Sequence, residues 1–286
     1  MMKMNWSMRG IKKMKARSAI IPYLVWMLIF ILLPLVIIIY FSFTTTDNSF
    51  TLNNFKTIFE DATIIKVFLK SVWLGLISTI ICLVMAYPIS YFISRVNEKY
   101  QQTVLMLVLL PMWMNFLLRT YSLITILEDN GLINNVLKLL NIAPVKMINT
   151  PGAVVVGMVY NFLPFMILPI YSVMTKIDKS LVEAAQDLGS NRLQILWRII
   201  MPLSLPGVVS GITMVFVPSV STFIISRMLG GGNNILIGDI IELHFIGASY
   251  NPNVGSAISL VLMILMLLSM AVMNKFSGDD LESIVV

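Results

Sequence analysis

Charged residues make up 12% of the 286 residues, about half the share of an average soluble domain, which excludes an ordinary soluble fold. The one cysteine, Cys82, sits inside an apolar run, where it can neither close an internal disulfide nor contribute to a multi-cysteine metal site. With one histidine, His244, no HExxH or GxSxG motif and no carboxylate near the centre of an apolar run, no catalytic residue and no metal site are expected. A GxxxxGK(S/T) loop is also missing, so the chain cannot bind and hydrolyse ATP by the P-loop route, and any ATP energy must arrive from a partner. No convincing internal repeat is present, and Arg119 is the one basic residue well inside a run. Carriers driven by ion gradients bury ionisable groups or broken-helix sites, so an ATP-independent secondary carrier is the weaker, out-of-class alternative.

What the sequence does have is apolar residues, 58% of the total, in blocks of about twenty, the length that crosses a bilayer as helix. Runs at about 19–43, 67–94, 103–127, 152–175, 203–226 and 255–274 predict an all-α integral membrane protein with six transmembrane helices. The first run, about 25 residues, is longer than a signal h-region and no small-residue cleavage site follows it, so an uncleaved first span is expected. The organisation is a basic tail over 1–18, a six-helix domain over 19–274 that includes a cytoplasmic loop at 176–202, and a tail over 275–286. A net charge of +6 would suit nucleic acid, but the basic residues gather in the tail and between runs, where they set topology. Thirteen fall on the side of the first tail and six on the other. With six crossings, both termini are expected to be cytoplasmic in the multi-pass inner (plasma) membrane of a prokaryote, with lipid around the spans and no nucleic-acid partner. Pro34, Pro88, Pro111, Pro164, Pro169 and Pro218 lie within or near the spans and favour kinks. The pair Pro164 and Pro169 points to a bent helix lining a path.

The loop at 176–202 carries the most information. Ser180 with Glu183 fits a capping box, Leu181, Ala184, Ala185 and Leu188 recur at helical spacing, and Gly189 suits the left-handed turn that ends a helix. A second stretch runs from about Asn191 until Pro202 interrupts it. An amphipathic helix lying on the inner leaflet would share this pattern. The spacing argues otherwise: Glu183, Ala184, Ala185, three residues, Gly189, nine residues, Ile199, one residue, Met201, Pro202. It resembles the EAA loop of binding-protein-dependent ABC importer permeases, with Met201 where leucine is usual, a volume-conserving apolar swap. The resemblance implies a type I ABC importer permease fold and a coupling helix that docks on a cytoplasmic ATPase through Glu183, Ala184, Ala185 and Gly189, with Arg192 and Pro202 in the same motif.

Three further segments, Leu110 to Tyr121, Tyr160 to Pro169 and Leu229 to Asp239, look like a polyamine permease, the last most like the first membrane subunit of spermidine/putrescine importers. The resemblance implies an assembly with a second homologous permease, two copies of an ATPase and an extracytoplasmic polyamine-binding protein. No cofactor is expected on this chain, ATP and magnesium belonging to the partner ATPase. Related permeases move iron(III), thiamine or phosphonates, which stay as alternative solutes. A polycation path needs carbonyls, hydroxyls, aromatic faces and carboxylates. The candidates are Trp113, Asn115, Tyr121, Tyr160, Asn161, Ser219 and Ser221 in the spans, each equally readable as interhelical packing, and Asp239 and Glu242 on the outer side. A cation at Arg119 would repel a polycation, so its expected role is structural, reaching an interhelical carbonyl, Glu128 or Asp129, or the interface. Gly230, Gly231 and Gly232 are expected to hinge a re-entrant segment over 235–245.

Overall fold

The computed structural model describes residues 20–247 and 249–278; the tail over 1–18 and the last eight residues of the tail over 275–286 lie outside them. Described residues form helices and one isolated antiparallel bridge, Thr44 to Phe50. In chain order these are α1 (Ile20–Ser42), α2 (Asn53–Glu60), α3 (Ala62–Arg95), α4 (Glu98–Trp113), α5 (Phe116–Leu127) and α6 (Leu132–Leu139). Then follow α7 (Pro151–Met174), α8 (Lys179–Asp187), α9 (Arg192–Ser221), α10 (Ile224–Gly230), α11 (Ile237–Phe245) and α12 (Pro252–Gly278). Helices α1, α3, α7, α9 and α12 are each long and apolar enough to cross a bilayer, and the bent α4–α6 segment supplies a sixth span.

Two expected spans differ. The run at 103–127 is not one helix: it breaks after Trp113 and bends by 87°. Pro111 removes a backbone donor there, and the Asn115 side chain accepts from the Leu117 and Leu118 amides, so a new helix starts. The run at 203–226 starts earlier, at Arg192, and stops at Ser221, where Thr222 turns extended. A Cβ on Gly238 would lie 2.5 Å from the Ser221 carbonyl oxygen, so glycine is what lets α11 close over this helix end.

Prolines are accommodated in a way that the sequence hides. A single wide turn, Leu28–Leu32, precedes Pro34, and another, Leu196–Ile200, precedes Pro202. The Leu33 amide bonds the Leu28 carbonyl and the Met201 amide bonds the Leu196 carbonyl, five residues back. Widening the helix by one residue relieves the clash between a proline ring and the carbonyl four positions earlier. Pro202 therefore does not interrupt the chain's second coupling-loop helix, as expected, but is carried inside α9. Pro164 and Pro169 also sit within the continuous helix α7, and the third span is broken after Trp113.

The centre of the bundle is α3, α7 and α9, closed around fully buried Cys82, Ala86, Val154, Met158, Met166, Ile170 and Val215. Burying such side chains between helices gives close packing rather than hydrophobic stabilisation, since lipid is as apolar as leucine. Small residues set the approach: a Cβ on Gly207 would stand 2.7 Å from the Pro169 carbonyl oxygen and 3.0 Å from the Ile170 Cα. Both obstacles are backbone and cannot swing aside. Gly207→Ala is expected to cost about 1–3 kcal/mol, read as a lowered melting temperature of the purified protein, whereas Gly152→Ala, with its nearest neighbour at 3.6 Å, is expected to be silent. At the outer end, Asn54 donates to the Ser42 and Thr44 carbonyls and Asn253 donates to the Thr44 carbonyl at 2.7 Å, tying the first span to the sixth.

Candidate functional site

The loop between the fourth and fifth spans folds as two helices with a defined joint. Helix α8 is capped by Asp178, whose side chain accepts from the Ser180 amide at 2.9 Å, not by the expected pair of Ser180 and Glu183. That amide bond holds the Asp178 carboxyl below its ordinary value. At the other end the Ser190 amide bonds the Ala185 carbonyl and the Gly189 amide bonds the Gln186 carbonyl, with Gly189 at φ +80°. This is a Schellman ending, which requires the left-handed residue that the sequence places there. Asn191 and Gln194 then cap α9 reciprocally.

The joint fixes which faces are free. Ala185 is buried and Val182 packs on the main core, whereas Glu183, Ala184, Gly189 and Arg192 are exposed, and Leu188 is 87% exposed. The motif residues therefore form an outward surface, except Ala185, which anchors it, and Pro202, half-buried in the fifth span. Exposed Leu181, Leu188 and Leu193 extend that surface.

The path candidates fall into separate groups. Trp113, Asn115 and Tyr121 are exposed around the break of the third span, where Asn115 is already used as a cap. Beside them Tyr160 lies with its ring 6.0 Å from the Arg119 guanidinium carbon, and buried Asn161 donates to Thr120 Oγ1 and the Gly157 carbonyl. Arg119 is buried and its Nη1 donates to the Pro111 carbonyl at 3.0 Å, across the break. Of the partners expected for it, the carbonyl is the one it reaches, and it belongs to the arginine's own span. Ser219 is buried against α3, its Cβ 3.6 Å from a Cβ built on Gly75, and Ser221 donates to its own helix at the Val217 carbonyl.

Asp239 and Glu242 are on the outer side but engaged. The Asp239 carboxylate is buried and accepts from the Leu236 amide at 2.7 Å and from Ser226 Oγ at 2.6 Å. Burial pushes its carboxyl above the usual value, and those two bonds pull it back. Glu242 pairs with Arg227. The glycine run forms a turn: Gly230 is buried, Gly231, at φ +62°, stands where a Cβ would meet Asn149 Oδ1 at 2.2 Å, and Gly232, at φ +73°, is exposed with open space around it. Sequence reasoning missed Asn234, buried next to that turn, which donates to the Asn149 and Gly230 carbonyls and accepts from Lys70 Nζ at 2.8 Å. An asparagine two residues after a glycine run was the available signal.

Most of the chain has relatives. Residues 18–278 match the family described as binding-protein-dependent transport system inner membrane component. The Escherichia coli K12 protein named spermidine/putrescine transport system permease protein PotB is 39% identical over 249 residues, covering 84% of this chain and 90% of its own. The PotB protein of Haemophilus influenzae is 38% identical over 255 residues, covering 85% and 87%. Among solved structures, a bacterial ABC transporter that imports the acidic polysaccharide alginate superimposes with a TM-score of 0.80 at 18% identity, covering 96% of this chain and 98% of that one. That likeness shows the fold.

Proposed function

The chain belongs to the family of binding-protein-dependent transport system inner membrane components, and from that premise we propose that it is the first permease subunit of an ATP-driven polyamine importer. The observation that carries the reading of mechanism is the outward surface of Glu183, Ala184, Leu188 and Gly189, held on a helix with a fixed joint. It suits docking by an ATPase: small residues permit close approach, Leu188 supplies an apolar contact and Glu183 a polar one. Its partners are a second homologous permease, two copies of the ATPase with its ATP and magnesium, and an extracytoplasmic binding protein. ATP binding closes the ATPases, the two coupling helices move with them, and the permease pair exchanges inward for outward access. No bond in the solute is made or broken.

The polyamine assignment is supported by the identity with the PotB proteins over most of the chain. Within the spans, the ring faces of Trp113, Tyr121 and Tyr160 are the groups offered to a flexible polycation, while Asn115 and Asn161 are engaged in the helix cap and in contacts to Thr120 and Gly157. Arg119 serves the scaffold, turned to Pro111. The test is uptake of labelled spermidine and putrescine into cells lacking the chain, with and without its restoration, alongside iron(III), thiamine and a phosphonate. Restored polyamine uptake alone is expected. Restoration of another solute would replace the substrate and keep the permease.

A further inference from the structure

Two corners face each other at the cytoplasmic end of the bundle, the turn from α3 to α4 and the turn from α7 to α8. Between them lies a cavity of about 230 Å³ lined by Ser94, Arg95, Glu98, Gln101, Thr175 and Lys179, among others. Polar contacts span it. Lys179 Nζ meets Glu98 Oε1 at 2.5 Å, and the Tyr171 hydroxyl donates to Gln101 Oε1 at 3.3 Å. Gln101 in turn donates from Nε2 to the Ser94 and Val96 carbonyls at 3.1 and 2.9 Å, so its amide is fixed to the end of α3.

The positions of the charged pair are what give it consequence. Lys179 is the first residue of the coupling helix α8 and Glu98 is the first residue of α4. Helix α4 leads to the break at Trp113, where Arg119 holds the Pro111 carbonyl beside Tyr160. We propose that the Lys179–Glu98 pair, backed by Tyr171 and Gln101, is a strap through which displacement of the coupling helix moves α4 and hence the broken third span. Both groups are about three-quarters exposed, so the pair adds little to equilibrium stability. Its contribution is direction: a pull on α8 is shared with α4 rather than absorbed in the cavity. Lys179 and Glu98 are positioning residues in this scheme and touch neither solute nor nucleotide.

The proposal rests on the coupling role of α8 and is tested in the full complex, reconstituted in liposomes, as labelled spermidine imported per ATP hydrolysed. Lys179→Glu and Glu98→Lys are each expected to lower that ratio by about threefold, by replacing a weak attraction with a repulsion, while subunit stoichiometry and ATPase rate persist. A glutamate at the first position suits a helix N-terminus, so loss in Lys179→Glu does not come from melting α8. The exchange Glu98→Lys with Lys179→Glu is expected to restore the ratio. Failure of the exchange to restore it would overturn the strap, because Lys179 would then act on the ATPase instead. Single variants that leave the ratio unchanged, while a bulky residue at Gly189 lowers it, would also overturn it and leave the coupling reading intact. Where a reversal blocks assembly, Lys179→Gln and Glu98→Gln are each expected to lower the ratio in the same direction but by less, since they remove the attraction without adding a repulsion, and combining them is not expected to restore it. No import by the unaltered complex would be failure of the importer reading itself.

Discussion

Gly189→Trp is expected to hydrolyse ATP without importing solute, dropping the amount imported per ATP by about tenfold or more, the equivalent of an overpacking cost of one to three kcal/mol at an interface. Among the described residues, a Cβ at Gly189 meets no atom within 4 Å. The internal cost is the backbone, since φ is +80° and a non-glycine residue in the left-handed region pays about 1–2 kcal/mol. Gly189→Asn separates the two, because asparagine tolerates this conformation and adds little bulk. The expected series is a small loss for asparagine, a modest one for alanine and a large one for tryptophan, with the complex assembled in all three. A loss that follows backbone strain, with alanine and tryptophan equal, would place the effect inside the joint and not at a docked partner.

Asp239→Ala carries the second large effect, and it falls on stability. Removing the carboxylate strands the Leu236 amide in a buried site, while the Ser226 hydroxyl keeps the Phe223 carbonyl as its acceptor. Leaving a buried donor unpaired costs about 1–3 kcal/mol, or about 3–8 °C in melting temperature for a chain of this size. Asp239→Asn keeps one acceptor oxygen and is expected to lose less. Thermal unfolding of the purified protein, together with the KM for uptake, decides between the two roles considered for this residue. A cap lowers the melting temperature and the yield of assembled complex. A raised KM with unchanged melting would return Asp239 to the solute path.

The contrast between these residues shows what a sequence exposes. Gly189 was legible because a left-handed helix ending has one preferred residue, and the spacing to Glu183 and Pro202 is carried by consecutive positions. The six spans were legible because apolar length has no other outlet in a chain so poor in charge. Asp239 was misleading, since an acidic residue in an outer segment reads as solvated or as a cation ligand, and its bond to Leu236 depends on how α11 enters the fold. The break at Met114 and Asn115 was hidden inside an unbroken apolar run: hydropathy reports burial in lipid and says nothing of a turn that supplies its own cap. Pro202 was hidden differently, because the rule that proline ends a helix omits the wide turn that admits it. The strap from Lys179 to Glu98 joins residues 81 apart in sequence and has no local signature at all.

The account turns on this chain being one half of a permease pair driven by partner ATPases, and reconstitution tests that most directly. The full complex with its binding protein, sealed in liposomes, is expected to accumulate labelled spermidine when ATP is supplied on the side of the ATPase, and to stop when the ATPase is omitted or Gly189 is replaced by tryptophan. Accumulation by this chain alone, driven by an ion gradient and indifferent to ATP, would contradict it.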